Sequence, residues 1–577
     1  MRRSVLSPVL LFLLSLALMP LCYGAQDSKP SMPLDELSIT GIVKNTHGKP
    51  LKDASVEIFV DGKPFKTERE IKVSSAGTFV AEISFPAGSL VGKNIEVEVM
   101  KPSYRDSNRT PLTSIVKEKN TPQGGSRYLA LVEFTLTRTF SPAFWIATII
   151  LLAVYVLIAF ELMHRTLAAF LGGSVLLFIS YTLGTYSPDY FIMSFDDAMR
   201  AIDMNVIFLL MAMMIIVGVL KKTGVFQWLA YKSYGIAKGN IFVLASILMF
   251  VTAFVSAFLD NVTTMLLMIP VTIEIALTLK INPVVILIPE AFASNVGGTA
   301  TLIGDPPNIM IGSYAHLTFV DFVKNLTLVN AIALAVSIVY FLYWFKKDLM
   351  KSEVVDVQKM LEHLREEYRI TDRTLLIKGG LILAITIFLF IVHGALNMEP
   401  SIAALIGAAL LMVISKIDIV EMLEREIEWP TLIFFIMLFV VVAGAEEAGL
   451  IQVIADWVRE ISKGSLVIAI LMVLWVSALA SAIIDNIPFT ATMLPIVGYL
   501  TTVIPGAESG VLWWALSLGA CLGGNGTMIG ASANVVTVGL LERAGYPVSF
   551  KEYLKIAFIP MMITVTIAMV WLLVVEM

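Results

Sequence analysis

From Phe144 onward the chain is a series of apolar segments, at about 144–162, 167–186, 204–220, 241–259, 262–279, 283–303, 325–345, 377–396, 401–415, 430–445, 466–484, 487–504, 511–530 and 553–575. Several are shorter than the ~20 residues a straight membrane-spanning helix needs, and others are broken by Gly, Pro and Asn. In lipid every backbone polar group needs an internal partner, so a break at membrane depth survives only inside protein or along a cavity. Such a chain folds as a polytopic helical membrane protein with an internal site. Composition agrees: 57% of the 577 residues are hydrophobic and 15% charged, against about 45–50% and about 25% in soluble domains.

The breaks repeat. Residues 297–308 read GGTATLIGDPPN and residues 523–534 read GGNGTMIGASAN, while SAFLDNVTTMLLMIP (256–270) is matched by SAIIDNIPFTATMLP (481–495). Two motifs in the same order at nearly constant spacing make an internal repeat. VGVLKKTGVFQ (217–227) aligns with VAGAEEAGLIQ (442–452), setting Lys221-Lys222 opposite Glu446-Glu447. Lys-rich loops stay cytoplasmic, and Lys232 and Lys238 lie close by, so the two repeats are expected to be inverted in the membrane.

Paired interrupted segments in inverted repeats point to the midplane site of a secondary transporter. The expected substrate- and ion-binding residues are Ser256, Asp260, Asn261, Thr263, Gly297, Gly298, Thr299, Thr301, Asp305 and Asn308 in the first repeat. In the second they are Ser481, Asp485, Asn486, Thr490, Gly523, Gly524, Asn525, Thr527 and Asn534. The glycines let backbone approach a ligand, Pro306 and Pro307 stop a helix, and the asparagines offer both donor and acceptor. Asp260 and Asp485 matter most, because a carboxylate in mid-membrane sequence is costly and marks an ion or proton path. Oxygen ligands suit a hard cation, so sodium is expected at Asp260, Asn261, Asp485 and Asn486, with protonation or helix capping as the alternatives. Asp305 faces Ala531 in the alignment and reads equally as an ion ligand or as a cap before the two prolines.

The N-terminus begins MRRSVLSPVLLFLLSLALMPLCYGAQ, read as a signal peptide over 1–25, with an uncleaved anchor as the alternative. Residues 36–139 alternate apolar and polar residues between turns at 47–50 and 61–62, which predicts a small β-sandwich on the extracytoplasmic side. Its pattern GxVxxxxGxPLxxAxV resembles the carboxypeptidase regulatory domain, and its role is read as stabilising or docking, without chemistry. The sequon Asn108-Arg109-Thr110 is read as chance. Residues 346–378 form a charged cytoplasmic connector between membrane regions at 144–345 and 379–577.

Other functions find no support. A net charge of −5 without a basic block argues against nucleic acid. Cys22 and Cys521 cannot make a disulfide framework. The five histidines are scattered, and neither a Walker phosphate loop nor a nucleophile motif occurs, so an enzyme is not expected.

SAFLDNVTTMLLMIPVTIEI, ASNVGGTATLIGDPPNIMIGS, WVSALASAIIDNIPFTATMLPI and GACLGGNGTMIGASANVV resemble the signature stretches of the melanosomal P protein and its prokaryotic relatives. These belong to the ion transporter superfamily, with arsenite permeases, citrate transporters and sodium–dicarboxylate symporters. The resemblance implies re-entrant hairpins, unwound helices, a homodimer and elevator-type movement. It also implies that Ser256, Asn261, Ser481 and Asn486 match the hairpin residues that bind carboxylate and sodium in the symporters. Asp260, Val262, Asp485 and Ile487 depart from that pattern, and two added carboxylates would repel a di- or tricarboxylate unless cations or protons neutralise them.

The reading is therefore a mainly α, polytopic permease of two inverted repeats with re-entrant hairpins and broken helices behind a small extracytoplasmic β-sandwich. It moves a small anion across the plasma (inner) membrane, coupled to sodium or protons, with no other cofactor. A sodium/proton antiporter and a passive anion channel are the alternatives within the superfamily, and a sensor that no longer transports is the alternative outside it.

Overall fold

The computed structural model describes residues 34–351 and 368–577, apart from short stretches between 46 and 139. The expected signal peptide and most of the charged connector lie outside the described residues. The chain divides into two units, at 1–139 and 140–577.

The first unit is two facing sheets. β1 (Leu34–Asn45) runs antiparallel to β5 (Thr78–Pro86) and parallel to β9 (Ser126–Leu136), with β8 (Ile115–Asn120) outermost. The second sheet pairs β2 (Ser55–Val60) with β3 (Lys63–Pro64), β4 (Ile71–Lys72) and β6 (Ile95–Met100), and β7 (Thr110–Pro111) adds to β6. Alternate residues point inward, so Leu37, Ile39, Val43, Phe79, Ala81, Ile83, Phe85, Val97, Val99 and Phe134 form one core. Asp35 is buried, and its carboxylate accepts from the backbone N–H of Gly88 at 2.7 Å and of Ser126 at 2.8 Å. Asp35→Ala leaves both N–H groups without that acceptor, at about 1–3 kcal/mol each. Hydrogen exchange at Gly88 and Ser126 is expected to quicken at least tenfold, while exchange in the centre of β6 stays near that of the wild type.

The second unit is helical, and its helix order occurs twice. α1 (Pro142–Ala159), α2 (Arg165–Tyr186), α3 (Phe195–Ala201), α4 (Met204–Lys221), α5 (Val225–Ala237), α6 (Ile241–Ser256), α7 (Asn261–Thr278), α8 (Val284–Gly298), α9 (Pro306–Ala315) and α10 (Phe319–Trp344) make the first set. After the short α11 (Lys346–Leu349) come α12 (Arg373–Val392), α13 (Pro400–Ser415), α14 (Ile419–Arg425), α15 (Trp429–Ala448), α16 (Leu450–Ser462), α17 (Leu466–Ser481), α18 (Asn486–Val503), α19 (Val511–Gly523), α20 (Ser532–Arg543) and α21 (Phe550–Val574). The repetition thus extends well beyond the two motifs that reveal it in the sequence. Eight of these helices are long and apolar enough to cross a membrane.

Seven of the described helices, α3, α5, α9, α11, α14, α16 and α20, fall outside the expected apolar segments. All are short. α9 is buried all round from Pro306 to Gly312 but opens on Pro-Pro-Asn, whereas α5, α16 and α20 bury only part of their surface, as in α16, where Ile451, Ala455, Val458 and Ser462 make a single buried stripe. A search for apolar runs passes over such a stripe. α10 also begins at Phe319, ahead of the apolar run, because Thr318 and Asp321 close a capping box.

The two sets are interlocked. α2 packs against α15 and α13 against α4, so the second helix of each set lies on the fourth helix of the other. α20 packs on α7 and α9 on α18, which brings the broken helix of each set onto the other set's hairpin.

Candidate functional site

Each hairpin tip is a short link capped by an aspartate. After α6 ends at Ser256, Asp260 turns the chain into α7, its carboxylate accepting from the N–H of Val262 (3.2 Å) and Thr263 (2.9 Å) and from the Thr263 hydroxyl (2.7 Å). After α17 ends at Ser481, Asp485 does the same for α18 through the N–H of Ile487 at 3.0 Å. Both aspartates are therefore N-caps, which satisfy helix-start N–H groups that lipid could not.

The broken helices are held open by asparagines in equivalent positions. Between α8 and α9 the chain is unwound, and the Asn308 amide donates to the carbonyls of Thr299 (3.0 Å) and Thr301 (2.8 Å). Between α19 and α20 the Asn534 amide donates to the carbonyls of Gly524 and Thr527, both at 3.0 Å. The loops are tied to the tips by Thr301, whose hydroxyl donates to the Ala257 carbonyl, and by Thr527, which donates to Ala482. Thr299 and Thr490 turn their hydroxyls onto carbonyls of their own helices, those of Asn295 and Asn486.

The glycines bring the protein's own backbone together. A Cβ on Gly297 would lie 2.1 Å from the Ala253 carbonyl oxygen, and one on Gly523 would lie 2.4 Å from the Ala478 Cα. Gly298 faces the Gly304 carbonyl, and Gly524 faces that of Gly530, with Cβ separations of 2.5 and 2.7 Å. The close neighbour at all four positions is thus hairpin or loop backbone.

Between the halves lies a buried network that the motif comparison missed. Asn295 accepts at 3.0 Å from the Asn261 amide and donates to the side-chain oxygens of Asn525 (2.9 Å) and Asn534 (3.0 Å). Asn486 donates to both oxygens of the buried Asp305 at 3.4 Å, and Ser517 donates to Asn308 at 2.6 Å. Ser481 donates to the Ala520 carbonyl at 2.6 Å, while the Ser256 hydroxyl meets that of Ser294 at 3.1 Å. Asp305 stands at the cap position of α9 but makes no side-chain capping bond, so its partner is the opposite hairpin. The Asn525 amide nitrogen is buried without a hydrogen-bond partner among the described residues. Asn295 escaped notice because its counterpart is Cys521, and a comparison for identities skips such a position. Asn295→Ala removes the acceptor of Asn261 and a donor to two asparagine oxygens, at about 1–3 kcal/mol per orphaned group. A fall of several degrees in the melting temperature of purified protein is expected.

The two aspartates open onto separate cavities. Asp260 lines one of about 260 Å³ with Thr263, Ile303, Lys221, Arg425, Glu426 and Glu428. Asp485 lines another of about 530 Å³ with Val262, Ile529, Ser532, Arg165, His164 and Glu161. In the first, the cations are taken up by other partners, Lys221 by Glu426 at 3.2 Å and Arg425 by Glu421 at 3.8 Å. In the second, Arg165 lies 3.5 Å from Asp485 itself. No arginine is found inside the core motifs by sequence. Arg165 comes from outside them, at the start of α2, where an arginine reads as an ordinary helix-end charge.

The family described as citrate transporter matches residues 155–519, most of the helical unit. The chain belongs to the citrate transporter family. A Mycobacterium tuberculosis protein named as an uncharacterized transporter is 41% identical over 74% of this chain and 97% of its own length. The 46 kDa membrane protein of Mycobacterium leprae is 38% identical over 74% and 97%. The human P protein is 35% identical over 74% of this chain, which spans 59% of that longer protein. The likeness to P protein relatives drawn from the hairpin and loop motifs is borne out, and this citrate transporter family member is a membrane permease rather than an enzyme. Among the described residues no group of three or more His, Cys, Asp or Glu is placed to hold a metal. Asn261 and Asn486 donate through their amide nitrogens, and their amide oxygens keep acceptor capacity.

Proposed function

We propose that this chain is a secondary active permease for a small anion, coupled to sodium or protons, whose two repeats are inverted and whose hairpins are re-entrant. The observation that carries this is the pairing of two equivalent hairpin tips, each capped by an aspartate and each opening onto a cavity beside an unwound loop. A fixed carboxylate at a cavity floor attracts a cation, and a bound cation removes the charge that would otherwise repel an anion. Asp260, Asn261, Asp485 and Asn486 would hold sodium, whose role is to neutralise those carboxylates. Ser256, Ser481, the loop glycines and threonines, Asp305, Asn308, Asn525 and Asn534 shape the surrounding site.

The opposite charges of Lys221-Lys222 and Glu446-Glu447 support inversion. The second half's packing onto the first supports a moving body made of both hairpins and both loops, as elevator-type transport requires. We assign the protein to the plasma (inner) membrane, with the β unit outside and a homodimer as the assembly. Arg165 inside the Asp485 cavity favours an anion over a pure sodium/proton exchange.

The test is current from purified protein in liposomes on a solid-supported membrane, with sodium and proton jumps and with chloride, citrate or arsenite present. A cation-dependent transient seen with one anion only supports the permease. A sustained current that reverses at the anion's equilibrium potential and ignores sodium and pH makes the protein a channel.

A further inference from the structure

Arg165 reaches Asp485 from a different part of the molecule. It opens α2, whose packing partner is α15, whereas Asp485 belongs to the α17–α18 hairpin. Its guanidinium is held from behind without help from the aspartate: Nη2 donates to the Thr431 hydroxyl at 3.3 Å, and the group lies 5.4 Å from the centre of the Phe434 ring. In front, Nη1 donates to the Ser532 hydroxyl at 2.5 Å, and Ser532 in turn donates to Asp485 at 2.8 Å. The direct Arg165–Asp485 separation of 3.5 Å is well beyond the ~2.7–2.9 Å of a charge-assisted hydrogen bond.

We propose that Arg165 is the residue that holds the transported anion, and that Asp485 occupies it in the empty protein as a tethered stand-in for the substrate's carboxylate. This rests on the reading of the protein as an anion permease. The cavity in front of the guanidinium, about 530 Å³, is the size of small-molecule sites and is otherwise walled by Ile158, Met163, Ile529 and Val535. The remaining charged or titratable groups that line it are Glu161 and His164, with Glu428 behind Thr431 and Asp305 beyond Asn486. A guanidinium presents a planar fork that matches a carboxylate, whereas here its terminal nitrogens donate to the Ser532 and Thr431 hydroxyls and make only one long contact to a carboxylate. Asp485 has somewhere else to go, since its other oxygen already caps Ile487. An incoming carboxylate therefore takes over Arg165 and Ser532 and leaves Asp485 to its helix start and to the coupling cation. The tip in the other repeat differs: among the described residues Asp260 makes no ion pair, so only Asp485 stands against a guanidinium.

The experiment is equilibrium binding of radiolabelled citrate, succinate and phosphate to purified full-length protein in saturating sodium. Arg165→Gln is expected to weaken binding of the preferred anion at least tenfold, with Arg165→Lys in between. Asp485→Asn, which removes the internal competitor, is expected to bind that anion at least threefold more tightly. A pair that merely braces the fold would make both variants weaker. Equal weakening in the two, or wild-type affinity in Arg165→Gln, overturns the proposal and leaves the anion reading standing. Failure of the wild-type protein to bind any of the three anions overturns both. Should Arg165→Gln not give a monodisperse protein, the Arg165→Gln/Asp485→Asn double variant restores charge balance and carries the test: lost binding supports the assignment, and retained binding overturns it.

Discussion

Asp485→Asn and Asp260→Asn are each expected to abolish cation-coupled flux while leaving a folded, monodisperse permease. Asparagine is as good an N-cap as aspartate, so its one amide oxygen can keep the bond from the N–H of Ile487, or of Val262, while the charge and the second carboxylate oxygen, which takes Ser532 or Thr263, are lost. That separates two roles that coincide in one side chain. If the carboxylates only start helices, both variants transport normally, and the ion-binding role is lost. If they hold a cation, losing a partly buried charged partner costs about 2–5 kcal/mol, which is roughly 30-fold to several thousandfold in cation affinity. Sodium- and proton-jump currents from liposomes report the difference, and size-exclusion profiles report the fold.

The second large effect is structural. Gly297→Ala and Gly523→Ala should prevent accumulation of folded protein, because each new methyl group would fall within 2.5 Å of main-chain atoms of the neighbouring hairpin helix. Overpacking usually costs about 1–3 kcal/mol when side chains can give way. Here the obstacle is backbone, so a cost at or above that upper end is expected. Gly539 is the control: it lies inside α20 with open space around it, and Gly539→Ala should be neutral or slightly stabilising. The yield of monodisperse protein on size exclusion checks the first statement, and thermal unfolding of Gly539→Ala and of whatever folded Gly297→Ala or Gly523→Ala protein is obtained checks the second. Equal melting temperatures would mean that the hairpin and the broken helix are not packed as tightly as described.

The helical unit was legible in the sequence where chemistry leaves a local mark. The broken segments, the doubled motifs and the tip aspartates can be read residue by residue, because glycine, proline and an intramembrane carboxylate each cost something that a plain spanning helix would avoid. What escaped is what depends on three-dimensional approach. Arg165 lies more than three hundred residues from Asp485 in the chain and joins it only through the way α2 meets the second half. Asn295 is hidden by a mismatch at its repeat position, and α5, α9, α16 and α20 by lacking an apolar run. The close contacts at the loop glycines correct an emphasis: the sequence suggests backbone approaching a ligand, whereas the nearest atoms belong to the neighbouring hairpin.

The amide of Asn295 reaches Asn525 and Asn534, both contributed by the other half, while the corresponding side chain there is the thiol of Cys521. Cys521 reaches across in the same sense, its thiol meeting the Asn308 amide oxygen at 3.8 Å where Asn295 meets that of Asn534 at 3.0 Å. The two halves therefore clasp each other with unequal grips, a strong amide donor from one side and a weak thiol donor from the other.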